Sequence, residues 1–300
     1  MLSSLHLEAL ATVCDAGTFE QAAAELQVTP SALSQRISGL ERRLGRVLVR
    51  RSRPVTPTAD GEIVLRLARQ TVLLQAECLE AFADAEGAEQ VRVSVALNAD
   101  TLGTWFQEVL ADVAAEGRLV LDLRIEDESR TADLLRAGEV MAAVSIDPQP
   151  IQGCTVEPLG LMSYVPAVSP DLVDRLGLGR AHIDDLGRMP MLRFGRDDDI
   201  QPAFLMRSGH AEARPPVHHV PSNAEFIAAT LCGLGWGAIP LPQVRGPIAD
   251  GSLIPIQGAG TIEVPLYWHR WRVDSPTLIH LTELVTGAAR VHLQRPTNGG

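Results

Sequence analysis

Within its first 45 residues the sequence lays out three short helical segments broken by tight turns, the last opening on Thr29-Pro30. Leu5, Leu7, Leu10, Ala11 and Val13 recur at helical spacing from Leu5 to Ala16, and Gly17 stops the segment. Thr18 supplies an N-cap for a second helix through Phe19, Ala22, Ala23 and Leu26, after which Val28 turns the chain. Thr29 caps the third helix and Pro30 takes its first position, where the missing N–H has no intrahelical acceptor to lose. Leu33, Ile37, Leu40 and Leu44 form the apolar stripe of that helix, so Ser31, Ser34, Gln35 and Arg36 face elsewhere. Three short helices with a tight turn before the third have the geometry of a helix-turn-helix, whose last helix enters a DNA major groove N-terminus first. Thr29, Pro30, Ser31, Ser34, Gln35 and Arg36 are therefore the candidates to meet base edges and phosphates.

The net charge of −11 argues against a polyanionic partner only when it is spread over the whole chain, because counterion release depends on the local cationic patch. From Arg36 to Arg53 seven arginines stand against one acid, Glu41, while residues 90–300 hold 25 acids against 17 arginines, and lysine is absent throughout. A basic head on an acidic body follows. Val47-Leu48-Val49 and Val55-Thr56-Pro57-Thr58 read as short extended segments around the turn Arg50-Arg51-Ser52-Arg53-Pro54. This is a wing, in which Arg50, Arg51 and Arg53 grip phosphates or a minor groove and fix register without reading bases. A solvated arginine face with no function is the plainer alternative.

Three hundred residues exceed one ordinary domain, and no apolar run approaches the roughly 18 residues that span a bilayer. The first residues run straight into an amphipathic pattern without the basic and apolar regions of a secretory signal, so a cytoplasmic chain with no membrane partner is expected. Cys14, Cys78, Cys154 and Cys232 lie far apart with no metal-ligand spacing, which predicts reduced thiols, no metal and no cofactor. From Thr58 to Glu86 only Gly61 interrupts a helical pattern in which Ile63, Leu67, Thr71, Leu74, Cys78 and Phe82 recur every three or four residues. Such a stripe needs a cover, either the chain's own body or a second copy. Residues 87–90 read as a hinge. Beyond it strand-like and helical runs alternate, from Val91–Leu97, Thr101–Ala115, Leu119–Ile125, Thr131–Ala137 and Met141–Ile146 to a closing helix near Thr277–Leu293. This predicts an α/β multidomain chain whose body is an open, parallel-type sheet in two lobes. The expected units are a winged helix-turn-helix over 1–58, a linker helix and hinge over 59–89, and an effector domain over 90–300.

In open α/β sheets ligands settle at the carboxyl ends of strands, near helix N-termini. Asn98 to Trp105 follows the first body strand, Ile125 to Ser129 the second, and Ser145-Ile146-Asp147 the third. Leu121, Leu123 and Ile125 alternate with Asp122, Arg124 and Glu126, so Glu126 emerges opposite the apolar set. A cleft rimmed by Asp100, Glu126, Glu128 and Asp147, with Ser145 beside them, favours a cationic guest, since desolvated carboxylates need a positive partner. The residues alone allow equally that Asp100 caps a helix and that 126–128 is a solvated turn.

Phe19-Glu20-Gln21-Ala22-Ala23-Ala24-Glu25-Leu26, Thr29 to Ile37, Leu40-Glu41 and Leu44-Gly45 resemble the signature of LysR-type transcriptional regulators. Thr56 to Gly61 resembles that family's entry to its linker helix, with Pro57 and Asp60 as departures. In the body, Asn98 to Leu102, Glu126-Asp127-Glu128, Arg136 to Val140, Ala143-Val144-Ser145 and Leu266 to Arg270 resemble the ArgP/LysG subgroup. The resemblance implies a periplasmic-binding-protein-like effector domain with lobe I over 91–162 and 268–300 and lobe II over 163–267. It implies linker helices paired in a homodimer, a homotetramer of two kinds of dimer contact, promoter DNA as partner, and RNA polymerase as a further one where the regulator activates. The effector it implies is lysine, arginine or histidine, and the regulated gene a basic amino acid exporter. Asp100, Glu126, Glu128 and Ser222 carry over as effector contacts with Arg193, and Thr101 at a helix start helps hold the α-carboxylate.

A LysR-type regulator of another effector and a solute-binding protein share the two-lobed body and remain the alternatives. An enzyme is not expected: G-x-S-x-G, H-E-x-x-H and a phosphate loop ending in Gly-Lys are all missing. Gly233-Leu234-Gly235-Trp236-Gly237 lies between a helix and a strand, the reverse of a dinucleotide loop, and His218 and His219 point apart in a strand.

Overall fold

The computed structural model describes residues 2–80, 82, 90–126 and 128–295. At the N-terminus the helices form where their caps stand. Helix α1 (Ser4–Ala16) ends on Gly17, whose φ of 69° lies in the left-handed region. Helix α2 (Phe19–Glu25) starts where the Thr18 hydroxyl accepts from the Gln21 N–H at 3.2 Å, and α3 (Pro30–Leu44) where the Thr29 hydroxyl accepts from the Ala32 N–H at 3.1 Å. Leu7, Leu10, Val13, Leu33, Ile37 and Leu40 close a buried core with Leu48 and Val49, each such side chain contributing about 2 kcal/mol on burial. Strands β1 (Val49–Arg50) and β2 (Thr56–Pro57) pair antiparallel and hold the basic turn between them.

Helix α4 (Ala59–Glu80) is capped by Thr58, whose hydroxyl accepts from the Gly61 N–H at 3.0 Å. Gly61 permits a close approach here, because a Cβ at that position would stand 1.9 Å from the Leu48 carbonyl oxygen. Leu65 and Ala68 enter the head core, whereas Leu73 and Ala76 pack into the core of the body. Ile63, Leu67, Leu74 and Leu79 of the same helix are exposed. Residues 87–89 of the expected hinge lie outside the described residues.

In the body, β3 (Val91–Leu97) is followed by α5 (Ala99–Gly103), α6 (Phe106–Glu116), β4 (Leu119–Ile125), α7 (Glu128–Arg136), β5 (Ala142–Ser145) and the long β6 (Cys154–Val168). Then come α8 (Pro170–Arg175), β7 (Met191–Arg193), α9 (Ile200–Arg207), β8 (Val217–His219), α10 (Asn223–Leu231) and β9 (Gly237–Pro240). Helix α11 (Leu241–Ala249), β10 (Ile254–Pro255), β11 (Ile262–Trp271) and α12 (Pro276–His292) complete the order. Strand β3 pairs parallel with both β4 and β5, and its near-continuous apolar run matches burial on both faces.

The sheet is nevertheless mixed, which corrects the parallel-type expectation. Strand β11 runs antiparallel to β5 and to β6, and β9 and β10 pair antiparallel with the far end of β6. The expected lobe junctions near 162 and 268 thus fall inside two long strands that run through both lobes, with a register shift at Leu266/Tyr267. The single helix expected over 101–115 is two helices, broken between Gly103 and Phe106. Helices α8, α9 and α11 had no sequence counterpart: they have six to nine residues, and Pro202, Pro242 and Pro247 interrupt the pattern of α9 and α11. Helix α10 is the helix expected before Gly233. Trp236, Trp268 and Trp271 are all fully buried in the main core; Trp236 lies edge-on to Phe204 of α9, and Trp268 donates to the Thr282 hydroxyl of α12 at 3.0 Å.

Candidate functional site

Two surfaces gather the candidate residues. On the head, Thr29, Pro30, Ser31 and Gln35 are exposed along the start of α3, and Ser34 and Arg36 are half-buried. Arg50, Arg51 and Arg53 are exposed in the wing beside them. Arg51 is steered toward α3: its guanidinium lies 5.4 Å from the Phe19 ring centre and donates to the Ser38 hydroxyl at 3.4 Å. Arg42 and Arg43 at the far end of α3 add exposed positive charge. The face presents donors from a capped helix start and cations from a short hairpin, which is what a groove with phosphate walls requires.

The body holds a cleft of about 730 Å³ between its lobes. Seven carboxylates line it, from Asp100, Glu126, Asp147, Asp197, Asp198, Asp199 and Glu263, against one guanidinium among the described lining residues, Arg207. Ile125, Phe194, Phe226 and Val264 supply apolar walls, and the first residues of α9 and α10 face the same space. Asp100 enters from the start of α5, where Asn98 caps the helix by accepting from the Thr101 N–H at 2.8 Å. Across the cleft Asn223 donates to the Asp100 carboxylate at 2.6 Å, and Gln243 donates to the Asn223 carbonyl at 2.7 Å and to the Gly103 carbonyl at 3.1 Å. Burial pushes the Asp100 carboxyl up to about 6 from its ordinary 3.8; the Tyr164 hydroxyl and the Asn223 amide oppose the rise, and the charge of Asp198 adds to it. Glu126 faces Arg130 at 3.6 Å, and Glu263 accepts from the Ser163 hydroxyl at 2.7 Å. The His269 ring nitrogen Nε2 bonds the Asp147 carbonyl at 2.8 Å, and Ser145 accepts from the Asp147 N–H at 3.1 Å, so Asp147 is aimed from below.

A family model for bacterial regulatory helix-turn-helix proteins of the lysR family matches residues 5–62, and one for the LysR substrate binding domain matches 86–290. This chain belongs to the LysR family. It is 42% identical to the lysine export transcriptional regulatory protein LysG of Corynebacterium efficiens, over 98% of this chain and all of that one. It is 38% identical to the transcriptional regulator ArgP of Pseudomonas aeruginosa, over 92% of each chain. A crystal structure of ArgP from Mycobacterium tuberculosis superposes with a TM-score of 0.86 at 39% identity, covering 99% of this chain and 100% of that one. Full-length LysG from Corynebacterium glutamicum with bound effector Arg gives 0.76 at 39% identity, covering 97% and 99%.

In this LysR-family chain the cleft brings together three of the eight effector candidates read from sequence, Asp100, Glu126 and Asp147. The side chain of Glu128 lies outside the described residues. Thr101, Ser145, Arg193 and Ser222 do not line the cleft, each for a local reason. Thr101 is fully buried with its hydroxyl unpartnered, and Ser145 is buried under Asp147. Arg193 is spent on the loop before α9, donating to the Asp198 carbonyl at 2.7 Å and the Arg196 carbonyl at 2.6 Å and pairing with Asp199 at 3.5 Å. The Ser222 hydroxyl donates to the Glu225 carboxylate. Sequence reasoning missed Asp197 to Asp199, Arg207, Asn223 and Glu263. The run of three aspartates before a helix was visible as a signal; Glu263 and Asn223 carried none, since only strand pairing and the meeting of the lobes bring them to the cleft. No helix among the described residues is long and apolar enough to cross a membrane.

Proposed function

We propose that this chain is a cytoplasmic, DNA-binding transcription regulator that senses a basic amino acid, lysine, arginine or histidine, and controls a gene for its export. The observation that carries the reading is the cleft's balance of seven carboxylates to one guanidinium among the described lining residues, a negative lining that Arg130 on Glu126 and Arg193 on Asp199 only partly offset and that a cation would neutralise. Asp100, Glu126 and Asp147 bind the ammonium and the side-chain charge, the apolar walls take the aliphatic stem, and the starts of α9 and α10 with Arg207 receive the α-carboxylate. The arginine bound to LysG of C. glutamicum and the lysine-export name of the C. efficiens relative support the same chemistry. Thr29 to Arg36 read base edges while Arg50, Arg51 and Arg53 hold the backbone. The exposed Ile63, Leu67 and Leu74 face of α4 pairs two copies into a dimer, the unit that spans two half-sites and assembles further into a tetramer. RNA polymerase joins them where the regulator activates. Regulation, not catalysis, is the role assigned.

The test is calorimetric titration of the full chain with L-lysine, L-arginine and L-histidine, using L-glutamate and L-leucine as controls. Saturable binding confined to the cationic amino acids is expected. Binding of none of them, or equal binding of leucine, ends the effector assignment.

A further inference from the structure

We infer that Arg69, with Arg66 one turn before it on α4, is a strut that transmits the state of the effector lobe to the DNA-binding head of the same subunit; the transmission rests on the cleft being the effector site.

Arg69 is 5% exposed, and its two terminal nitrogens point to different domains. One donates to the Gly138 carbonyl in the turn after α7, and the other pairs with the Asp15 carboxylate on α1. Arg66 grips the same lobe, donating to the Arg136 carbonyl and, at 3.3 Å, to the Gln152 carbonyl. The backbones meet directly here. Gly138 has a φ of 70°, and a Cβ on it would stand 2.8 Å from the Arg66 Cα. Two turns further along α4, Glu77 accepts from the Thr277 N–H at 3.0 Å and from the Ser275 hydroxyl, and so caps α12. Between these grips Leu73 enters the body core, while Leu65 and Ala68 enter the head core. One helix is thus built into two cores, and Arg69 lies at the seam.

The lobe end of the strut leads to the cleft. Glu126 and Ala132 line the cleft, and Ala132 sits on α7, a nine-residue rod of about 13 Å. Arg124 pairs with Glu139 at 2.9 Å and ties the end of β4 to the turn that contains Gly138. A ligand that draws on Glu126 therefore acts on both roots of that turn. At the other end α1 shares its core with α3, so a shift at Asp15 reaches the helix proposed to lie in the groove. A desolvated guanidinium holds its fixed fork only while both partners stay in place, which favours two discrete arrangements over a gradual slide.

The experiment uses the full chain, its Arg69→Met and Asp15→Asn variants, L-arginine as probe, and a duplex that the wild-type chain selects from a random library. In ligand-free protein both variants should raise amide exchange across α1 at least about tenfold, because the head loses its tie to the lobe. Unchanged exchange overturns the strut whether or not L-arginine binds. By linkage the duplex and L-arginine change each other's affinity by the same factor. The wild-type factor should be several-fold and should fall to about one in both variants, while their L-arginine affinity without DNA stays within about twofold. A wild-type factor of one, or a factor retained by both variants, overturns the transmission. If L-arginine fails to bind the wild type, the effector assignment fails and the exchange result still decides the strut.

Discussion

The head and the cleft gather their residues in opposite ways. The candidate DNA surface is a contiguous stretch from Thr29 to Arg53, positioned by a cap within it and by a hairpin that closes four residues beyond it, at Pro57. The cleft draws on the ends of β3, β4, β5, β9 and β11 and on the loop before α9, so its residues span Asn98 to Pro265. Their charges also differ, a cationic face open to solvent against a carboxylate-lined cavity. The difference teaches that a site made by local geometry survives changes elsewhere in the fold, whereas a site made by topology depends on every strand that delivers a residue to it. Substitutions in either region can break that distinction.

The largest effect should come from the wing. Replacing Arg50, Arg51 and Arg53 together with alanine should weaken duplex binding about 100-fold near physiological salt, and flatten the slope of log affinity against log salt by about 0.9 for each phosphate that is no longer neutralised. Binding of L-arginine by the same variant should stay intact. Fluorescence anisotropy across a salt series measures the first, calorimetry the second. A slope equal to that of the wild type means that these arginines only solvate the surface.

The same distinction explains what the sequence could disclose. Thr18 and Thr29 fix helix starts with partners three residues away and Pro30 by its ring, so the three head helices and the wing were readable within a residue or so. In the body β3, β4 and α12 were equally plain, and Asp100, Glu126 and Asp147 followed from the rule about strand ends. The antiparallel passage of β6 beside β11 was not readable, because pairing of Tyr164 with Ile262 is set by partners about 100 residues apart. Glu263 reaches the cleft through that pairing, and Asn223 through the meeting of the two lobes. Arg193 shows the converse: its residue type suited a carboxylate ligand, but the loop before α9 consumes its donors.

In the cleft, Glu126→Gln should lower L-arginine affinity about 30-fold and leave duplex binding without ligand unchanged, since a neutral amide keeps the shape and removes the charge. Equal losses of ligand and DNA binding would place Glu126 in the fold rather than in the site. Asp100 should add a pH signature. Its carboxyl ionises near 6, so at pH 5 about nine-tenths of the empty clefts carry the proton. A cationic guest favours the ionised form, so L-arginine affinity should rise about tenfold from pH 5 to pH 7 and level off above, with proton release detectable in buffers of different ionisation enthalpy. Asp100→Asn should bind more weakly and lose the pH dependence; a variant that keeps it assigns the proton to another group.

The smallest effect should come from His269, and it separates body from head by acid. Its Nε2 bonds the Asp147 carbonyl and its Nδ1 is buried without a partner, so the neutral ring donates at Nε2, and protonation would place a second hydrogen where nothing accepts it. Burial accordingly holds its pKa below the ordinary 6.5, against a smaller opposing pull from the Asp147 carbonyl and charge. The unfolded chain then binds more protons than the folded one as pH falls below 6.5, so His269 withdraws stability on acidification and leaves it intact above that point. Asp100 works in the opposite sense: its raised pKa means that the folded body gains stability as pH falls through 6 toward 3.8. The two slopes overlap below about pH 6.5 and partly cancel. Urea unfolding in an Asp100→Asn background should therefore uncover a loss of body stability from pH 7 to pH 5, and adding His269→Gln should flatten it. If the head transition shows the same slope, acid sensitivity is shared across the chain and the separation between a locally built head and a topologically built cleft does not extend to their energetics.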